Sequence, residues 1–188
     1  MTQYYAIPKF SLNRSRISIK VLITLFLIGT LLAVWLSVYT LHYRTGLTVN
    51  GVVQYYIGNE GDAGAKEILF PKSTGEMLEF FHIHSFTLLL LIFILCHFVA
   101  LTTVSEARKI WNFTLTFLSF IGMMAFPWGV RFCADPSRWA GAALCSGFVF
   151  LAVTAAGAAA VFWEIWISPL GGAESLDNLE AGVGRPDL

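Results

Sequence analysis

Four histidines are the residues of this chain whose type and spacing point most directly to chemistry. Three of them, His82, His84 and His97, lie in one apolar stretch, and His42 lies near the end of an earlier apolar stretch. Imidazole binds transition metals and the iron of haem. Ionisable groups inside an apolar span are costly in a membrane and are read by default as a functional site. The stretch with three histidines is therefore the first candidate for such a site.

Residues 73–104 are predicted to form the helix that positions these three histidines. The stretch begins with Ser73 and Glu76 at the spacing of a capping box, in which each of the two side chains bonds a backbone N–H group of the first turn. No Gly or Pro follows between Glu76 and Val104, and about 20 apolar residues suffice to cross a bilayer. The pattern places His97 deep in the apolar part, roughly 20 Å beyond His82 along the helix.

The composition indicates a membrane protein. Of the 188 residues, 56% are hydrophobic and only 13% are charged, which is too apolar for a soluble domain of this size. The net charge is zero and no basic stripe is present, which argues against nucleic acid as a partner. The lipid bilayer is the expected surrounding. The predicted fold is an all-α, integral membrane four-helix bundle, with apolar spans at residues 17–43, 77–104, 110–130 and 140–167.

The spans divide the chain into three parts. Residues 1–16 are predicted to be a cytoplasmic N-terminal arm, residues 17–167 the four-helix domain with an outer loop at 44–72, and residues 168–188 a disordered cytoplasmic tail. A dense group of basic residues in the arm and the first turn of helix one favours both termini in the cytoplasm, because positive charges concentrate on that side.

Smaller features give further expectations. The segment GVVQYYIG in the outer loop is interpreted as a short strand or half-turn, and Pro127 with Gly129 is predicted to end the third helix. The Gly- and Ala-rich fourth helix favours close helix packing. Cys96 is interpreted as a small core residue. Cys133 and Cys145 fall near the same helix ends, so a disulfide between them is one alternative.

Helix depth suggests how the histidines could hold haem. His42, His82 and His84 share the outer layer, whereas His97 is alone in the inner layer. At about 100° per residue, His82 and His97 lie within roughly 60° of each other and share a face with Glu79, while His84 lies about 140° from His97. The hypothesis is one b-type haem held by His42 and one of His82 or His84. A second haem at His97 would need a ligand from another subunit.

Two histidine ligands suit electron transfer, because they leave no open position on the iron for a substrate. The expected role is to pass electrons between a quinol or a neighbouring subunit and an acceptor on the outer face, such as a periplasmic redox protein. Trp35 and Trp128 are expected to border this site. The sequence offers no catalytic constellation.

Two other functions fit the sequence. Glu76, Glu79 and His82 follow one another at spacings of three, and carboxylate with imidazole suits zinc, iron or copper, so a metal site at the outer membrane face is one alternative. A cofactor-free structural or assembly subunit of a larger membrane complex is the other, because few residues lie outside the spans.

The segment GEMLEFFHIHSFTLLLLIFILCHF, preceded by VVQYYIGNE, resembles a family of small bacterial inner-membrane proteins. In that family E-L-L-E-x-x-H-x-H precedes an apolar run that ends in a further histidine. The resemblance extends over most of residues 17–167, and it implies the four-helix architecture and a bacterial inner-membrane location. The histidine placement is also similar to that of membrane b-type cytochromes, which implies haem b. The chain differs from two-haem cytochromes in having no histidine in its third and fourth helices.

Overall fold

The computed structural model describes residues 12–61, 64 and 67–168 of the chain. The regular secondary structure of these residues is helical. A 3-10 turn, Leu12–Arg14, precedes five α-helices: α1 (Ile17–Thr45), α2 (Val49–Ile57), α3 (Thr74–Ala100), α4 (Glu106–Phe132) and α5 (Pro136–Trp166). Most of the predicted N-terminal arm and all but the first residue of the predicted disordered tail lie outside the described residues.

Four of these helices, α1, α3, α4 and α5, are long and apolar enough to cross a membrane. The prediction of an all-α four-helix membrane bundle is therefore confirmed. One end of the bundle is formed where α1 and α4 end and where α3 and α5 begin, and the short helix α2 packs there. We call it the α2 end, and we call the other end the opposite end.

The outer-loop segment predicted as a strand or half-turn is the helix α2. Thr48 caps its first turn, since the Thr48 hydroxyl accepts a hydrogen bond from the Gly51 N–H at 3.0 Å. Val52 and Tyr56, four residues apart, are both buried against the ends of the membrane helices. A helix presents this spacing on one face, and the Thr48 cap together with this buried face favours the helical conformation. Packing thus decides the conformation that the local sequence leaves open.

Helix α3 begins with the predicted capping box. The Glu76 N–H donates to Ser73 Oγ at 3.2 Å, and the Ser73 N–H donates to Glu76 Oε2 at 2.8 Å. The helix ends at Ala100, although apolar residues continue beyond it in the sequence. His97 is therefore in its last turn rather than deep in the apolar part, which corrects the predicted depth. Thr102 helps the chain to turn by donating to the Val99 carbonyl at 2.7 Å.

Helix α4 does not end at Pro127 and Gly129 as predicted, but continues to Phe132. Proline removes one backbone donor, and neighbouring helices stabilise such a break inside a membrane bundle. Here Val130 is fully buried and Gly129 lies directly against the indole of Trp139 on α5. The packing of these residues favours continuation of the helix beyond the proline.

Helices α4 and α5 form the most closely packed pair, as the small residues of the fourth span predicted. Gly122 and Gly129 of α4 bring its backbone against Ser146 and Trp139 of α5. Further along the pair, Asn112 Nδ2 donates to the Val153 carbonyl at 3.1 Å. Only residues 133–135 connect the two helices, so they are antiparallel neighbours.

The three cysteines are free thiols in the structure, so the Cys133–Cys145 disulfide considered above is not formed. Cys96 is half-buried and packs beside the cluster of Ile92 and Phe120, in agreement with its interpretation as a core residue. Cys133 and Cys145 are both exposed.

Helix α1 packs on the other membrane helices through its first half, and its last turn contacts α2. Ile23 and Leu27 are buried there, and Phe26 meets Phe98 of α3 with ring centroids 5.5 Å apart. In the second half the large side chains are exposed, for example Trp35 at 59% and Tyr43 at 83%. An apolar groove of about 480 Å³ separates α1 from α5. The α1 side of the groove is formed by residues 24–31, so the groove lies beside the first half of that helix.

Candidate functional site

The candidate site lies on α3, whose two sides differ sharply in their surroundings. The buried residues Met77, Ile92, Leu95 and Val99 fall within an arc of about 60° when each residue advances the helix by about 100°. They face α1, α2, α4 and α5 in three hydrophobic clusters. This arc is the packed face of α3, and it fixes the direction of every other side chain on the helix.

Glu79 and His97 point almost directly away from the packed face, about 170° from its centre, and His82 lies about 110° from it. All three are exposed. The apolar residues between them are also exposed, with Phe86 at 74% and Phe93 at 70%. We call this surface, comprising Glu79, His82, Phe86, Phe93 and His97, the open face of α3. The predicted common face of Glu79, His82 and His97 is thus present, and it is directed outward from the bundle.

His84 points elsewhere and has fixed geometry. It is half-buried, its ring stacks on Phe80 with centroids 4.0 Å apart, and its Nδ1 is 2.9 Å from the Phe80 carbonyl. That hydrogen bond needs a proton on Nδ1, which leaves Nε2 as the free lone pair of the neutral ring. Around α3, His84 is about 40° from Phe98, the residue that meets Phe26 of α1, but Phe98 is 14 residues further along the helix.

His42 lies in the last turn of α1, at the α2 end, and is exposed. Around α1 it is about 160° from Phe26, the residue that contacts α3. The structure therefore places His42, His82 and His84 at one end of the bundle, as predicted, without directing His42 towards α3. The residues that line the groove between α1 and α5, among them Trp163, include no histidine. The pairing of His42 with His82 or His84 stays a prediction.

The residues of the predicted metal site have separate surroundings. Both carboxylate oxygens of Glu76 are engaged, Oε2 by the Ser73 N–H and Oε1 by the Lys72 ammonium at 3.1 Å. Glu79 and His82 belong to the open face. Among the described residues, no three His, Cys, Asp or Glu side chains form a group that could hold a metal ion. Glu76 therefore serves the start of α3, as its position in the first turn favours.

The two tryptophans expected to border the site lie on different helices and at different levels. Trp35 stacks on Tyr39 along the exposed half of α1, with centroids 5.8 Å apart. Trp128 stacks on Phe132 of α4 at 5.6 Å and packs against the cluster that buries α2. They do not enclose a common space with the open face of α3.

Sequence reasoning missed a polar cluster at the opposite end. Glu164 is 3% exposed, and its Oε2 accepts a hydrogen bond from the Thr103 hydroxyl at 2.6 Å. Lys109 is also buried, and its ammonium donates to the Ala100 carbonyl at 3.0 Å and to Glu106 at 2.9 Å. These contacts tie the turn between α3 and α4 to the bundle. In the sequence, a charged residue within one turn of the end of an apolar span indicates a polar cluster of this kind.

The fold also forms a basic cluster at the α2 end. Arg44, Lys72 and Arg131 are far apart in the chain, but each contacts the small group of residues around Tyr55. Because the three come from α1, the outer loop and α4, only the fold brings them together.

Comparison with known proteins agrees with this architecture. No curated protein and no solved structure matches the chain. A family model described as a transmembrane helical domain, Aq_1264_TM, matches residues 46–171, which is more than half of the chain. The match begins directly after α1 and contains α2, α3, α4 and α5 in full. The chain is a multi-pass membrane protein and belongs to the Aq_1264_TM family of transmembrane helical domains.

Proposed function

We propose that this protein works as a subunit of a membrane assembly, and that a helix of another chain covers the open face of α3. The observation that carries the proposal is the direction of Glu79, His82 and His97, which point away from the packed face and are exposed on a helix long and apolar enough to cross a membrane. In a protein that functions alone, this face of α3 would meet lipid.

Lipid is a poor environment for these side chains. An acidic side chain at the centre of a membrane helix costs about 2.5–3.5 kcal/mol on insertion scales, and the cost falls towards the ends. His82 is eight residues after the first residue of α3, or about 12 Å along the axis, and Glu79 is about 7.5 Å along it. A partner helix would replace this exposure with hydrogen bonds from its own polar groups.

The experiment is a measurement of the mass of the protein taken from its own membrane in lipid particles. We expect native mass spectrometry to release a species heavier than one chain. Release of the single chain with lipid alone would contradict the proposal.

A b-type haem is a second candidate, and the hydrogen bond of His84 is the observation that favours it. Metal-bound histidines commonly donate Nδ1–H to a backbone carbonyl, which orients Nε2 towards the metal. His84 has this arrangement and is half-buried. Its Nε2 would hold the iron, and bound haem would supply reversible one-electron transfer between a quinol or partner subunit and an acceptor. The second axial ligand would be His42 or a histidine of the partner chain.

Visible absorption tests the haem candidate. We expect protein from haem-replete cells to show a Soret band and a resolved α band after reduction with dithionite, and His84→Ala to lose both. His97→Ala removes an exposed histidine near the other end of α3 and is expected to keep them. Loss in His42→Ala would identify that residue as the second ligand, and retention would assign this ligand to the partner. A colourless wild-type protein, or an unchanged spectrum in His84→Ala, would exclude the assignment.

A further inference from the structure

Two cationic side chains contact Tyr55 of α2, and a third joins them through Lys72. Arg44 Nη1 donates to the Tyr55 hydroxyl at 2.6 Å, and the Lys72 ammonium lies 5.3 Å from the centroid of the same ring. Arg131 joins them through its Nε, which donates to the Lys72 carbonyl at 2.7 Å. The contacts form one continuous group, Arg44–Tyr55–Lys72–Arg131, which we call the basic cluster.

The basic cluster has more positive charge than its carboxylates balance. Lys72 pairs with Glu76 at 3.1 Å, but neither Arg44 nor Arg131 forms a salt bridge within the part of the chain that the structure describes. A guanidinium has five N–H donors, and the contacts above use one on each arginine. Several donors of two permanent cations are thus left to bind an anion.

The position of the cluster indicates which anion. It lies where α1 ends at Thr45, α3 begins at Thr74 and α4 ends at Phe132, so it is at the level at which the apolar helices leave the hydrocarbon. Tyr43, which is 83% exposed, and Trp128 provide aromatic side chains at this level. Tyr and Trp concentrate where helices meet the lipid headgroups. The anions present at this level of a bilayer are the phosphates of phospholipids.

We propose that the basic cluster binds the headgroup phosphate of an anionic phospholipid, with Arg44 and Arg131 as the principal donors. Guanidinium groups bind phosphate through paired N–H bonds, and basic pockets between membrane helices bind anionic headgroups. Tyr55 holds Arg44 in place through its hydroxyl and offers its ring to Lys72. The proposal does not depend on what covers α3 or on haem.

Competition between two lipids tests it. Detergent-purified protein is mixed with equal amounts of phosphatidylglycerol and phosphatidylcholine of the same acyl chains, and bound lipid is counted by native mass spectrometry. We expect a preference for phosphatidylglycerol. A basic residue near a membrane surface contributes about 1 kcal/mol to such binding, so Arg44→Gln and Arg131→Gln should each lower the preference about fivefold. Arg44→Lys keeps the charge but loses the fork of donors, and it should fall between the wild type and Arg44→Gln.

The matched control is Arg138→Gln. Arg138 is at the same end of the bundle and is 86% exposed, but its guanidinium pairs with Asp135 at 2.7 Å. We expect this variant to keep the wild-type preference. Equal losses of the lipid preference in Arg138→Gln and Arg44→Gln would show that surface charge alone causes the preference, and would overturn the proposal. Competition by millimolar inorganic phosphate would indicate a site for free phosphate and would overturn it as well. Circular dichroism of each variant confirms that the helices are intact, and Arg44→Gln serves if Arg131→Gln does not fold.

Discussion

Gly129→Ala is expected to destabilise the bundle by about 2–3 kcal/mol, because α4 and α5 cannot keep their present distance with a side chain at this position. A Cβ atom on Gly129 would overlap the indole ring of Trp139. The ring is rigid and packs against the buried cluster at the α2 end, so it cannot swing aside as a long flexible side chain would. The two helices would have to separate, and Val130 beside Gly129 would lose part of its packing.

The matched control is Gly147→Ala on α5, where an added Cβ meets no atom within 4 Å. Alanine in a helix interior is more favourable than glycine by about 0.5–1 kcal/mol, so this variant should be slightly stabilised. The free energy of unfolding, measured by titrating the detergent-solubilised protein with dodecyl sulfate, gives both values. Equal changes in the two variants would contradict the close α4–α5 contact.

Glu79→Leu combined with His82→Leu is expected to release single chains from the assembly. If a partner helix covers the open face of α3, the two substitutions leave its polar groups without partners, which costs about 1–3 kcal/mol for each buried group. If lipid covers that face, the same substitutions replace polar side chains by an apolar one and should leave the mass of the particle unchanged while the chain becomes more stable. The two accounts therefore predict different results for one variant.

A control with the same spacing is available on α1. Ser37 and Thr40 are three residues apart, exposed, and bonded to carbonyls of their own helix, Ala33 and Leu36. Ser37→Leu with Thr40→Leu changes two polar residues to leucine without touching α3. The mass of the particle should stay at the wild-type value, and dissociation of this variant as well would mean that added leucine at membrane level disturbs the assembly in general.

Local sequence signals predicted the helices well. Ser73 and Glu76 indicate the first turn of α3, and the structure has the two reciprocal hydrogen bonds of a capping box there. The four spanning helices follow from the length and apolar content of their segments. Inside a membrane every backbone polar group must be bonded internally, so a long apolar segment there is a reliable indication of a helix. The small residues of α5 predicted a close helix contact, and α4 and α5 do pack closely, but the tightest approach is at Gly122 and Gly129 of α4.

Predictions that depend on packing were less successful. The turn signals at Pro127 and Gly129 are real, but the burial of Val130 and the contact with Trp139 extend α4 past them. The segment of α2 has no long periodic pattern, and its helical conformation follows from the surfaces that bury Val52 and Tyr56. Apolar residues continue past Ala100 in the sequence, so the predicted helix was too long and His97 was predicted to lie too deep in the apolar span.

The histidines illustrate the limit most clearly. Helical angles predicted that Glu79, His82 and His97 share a face and that His84 does not, and the structure agrees. Angles within one helix do not say which face meets the bundle, because that depends on the neighbours of the whole helix. The packed face of α3 turned out to be the opposite one. The relative rotation of α1 and α3 decides the direction of His42. This rotation could not be predicted from a single sequence either.

A photo-cross-linking amino acid in place of Phe86 tests the central claim most directly. Phe86 is 74% exposed in the middle of the open face, and Leu118 of α4, which is 58% exposed, provides the control position. On irradiation of intact membranes we expect a discrete protein adduct from position 86 and none from position 118. The adduct from position 86 should disappear when Glu79→Leu and His82→Leu are added. If position 86 yields no protein adduct, or if its adduct survives those two substitutions, the open face of α3 is a lipid-facing surface and the proposed assembly through it is wrong.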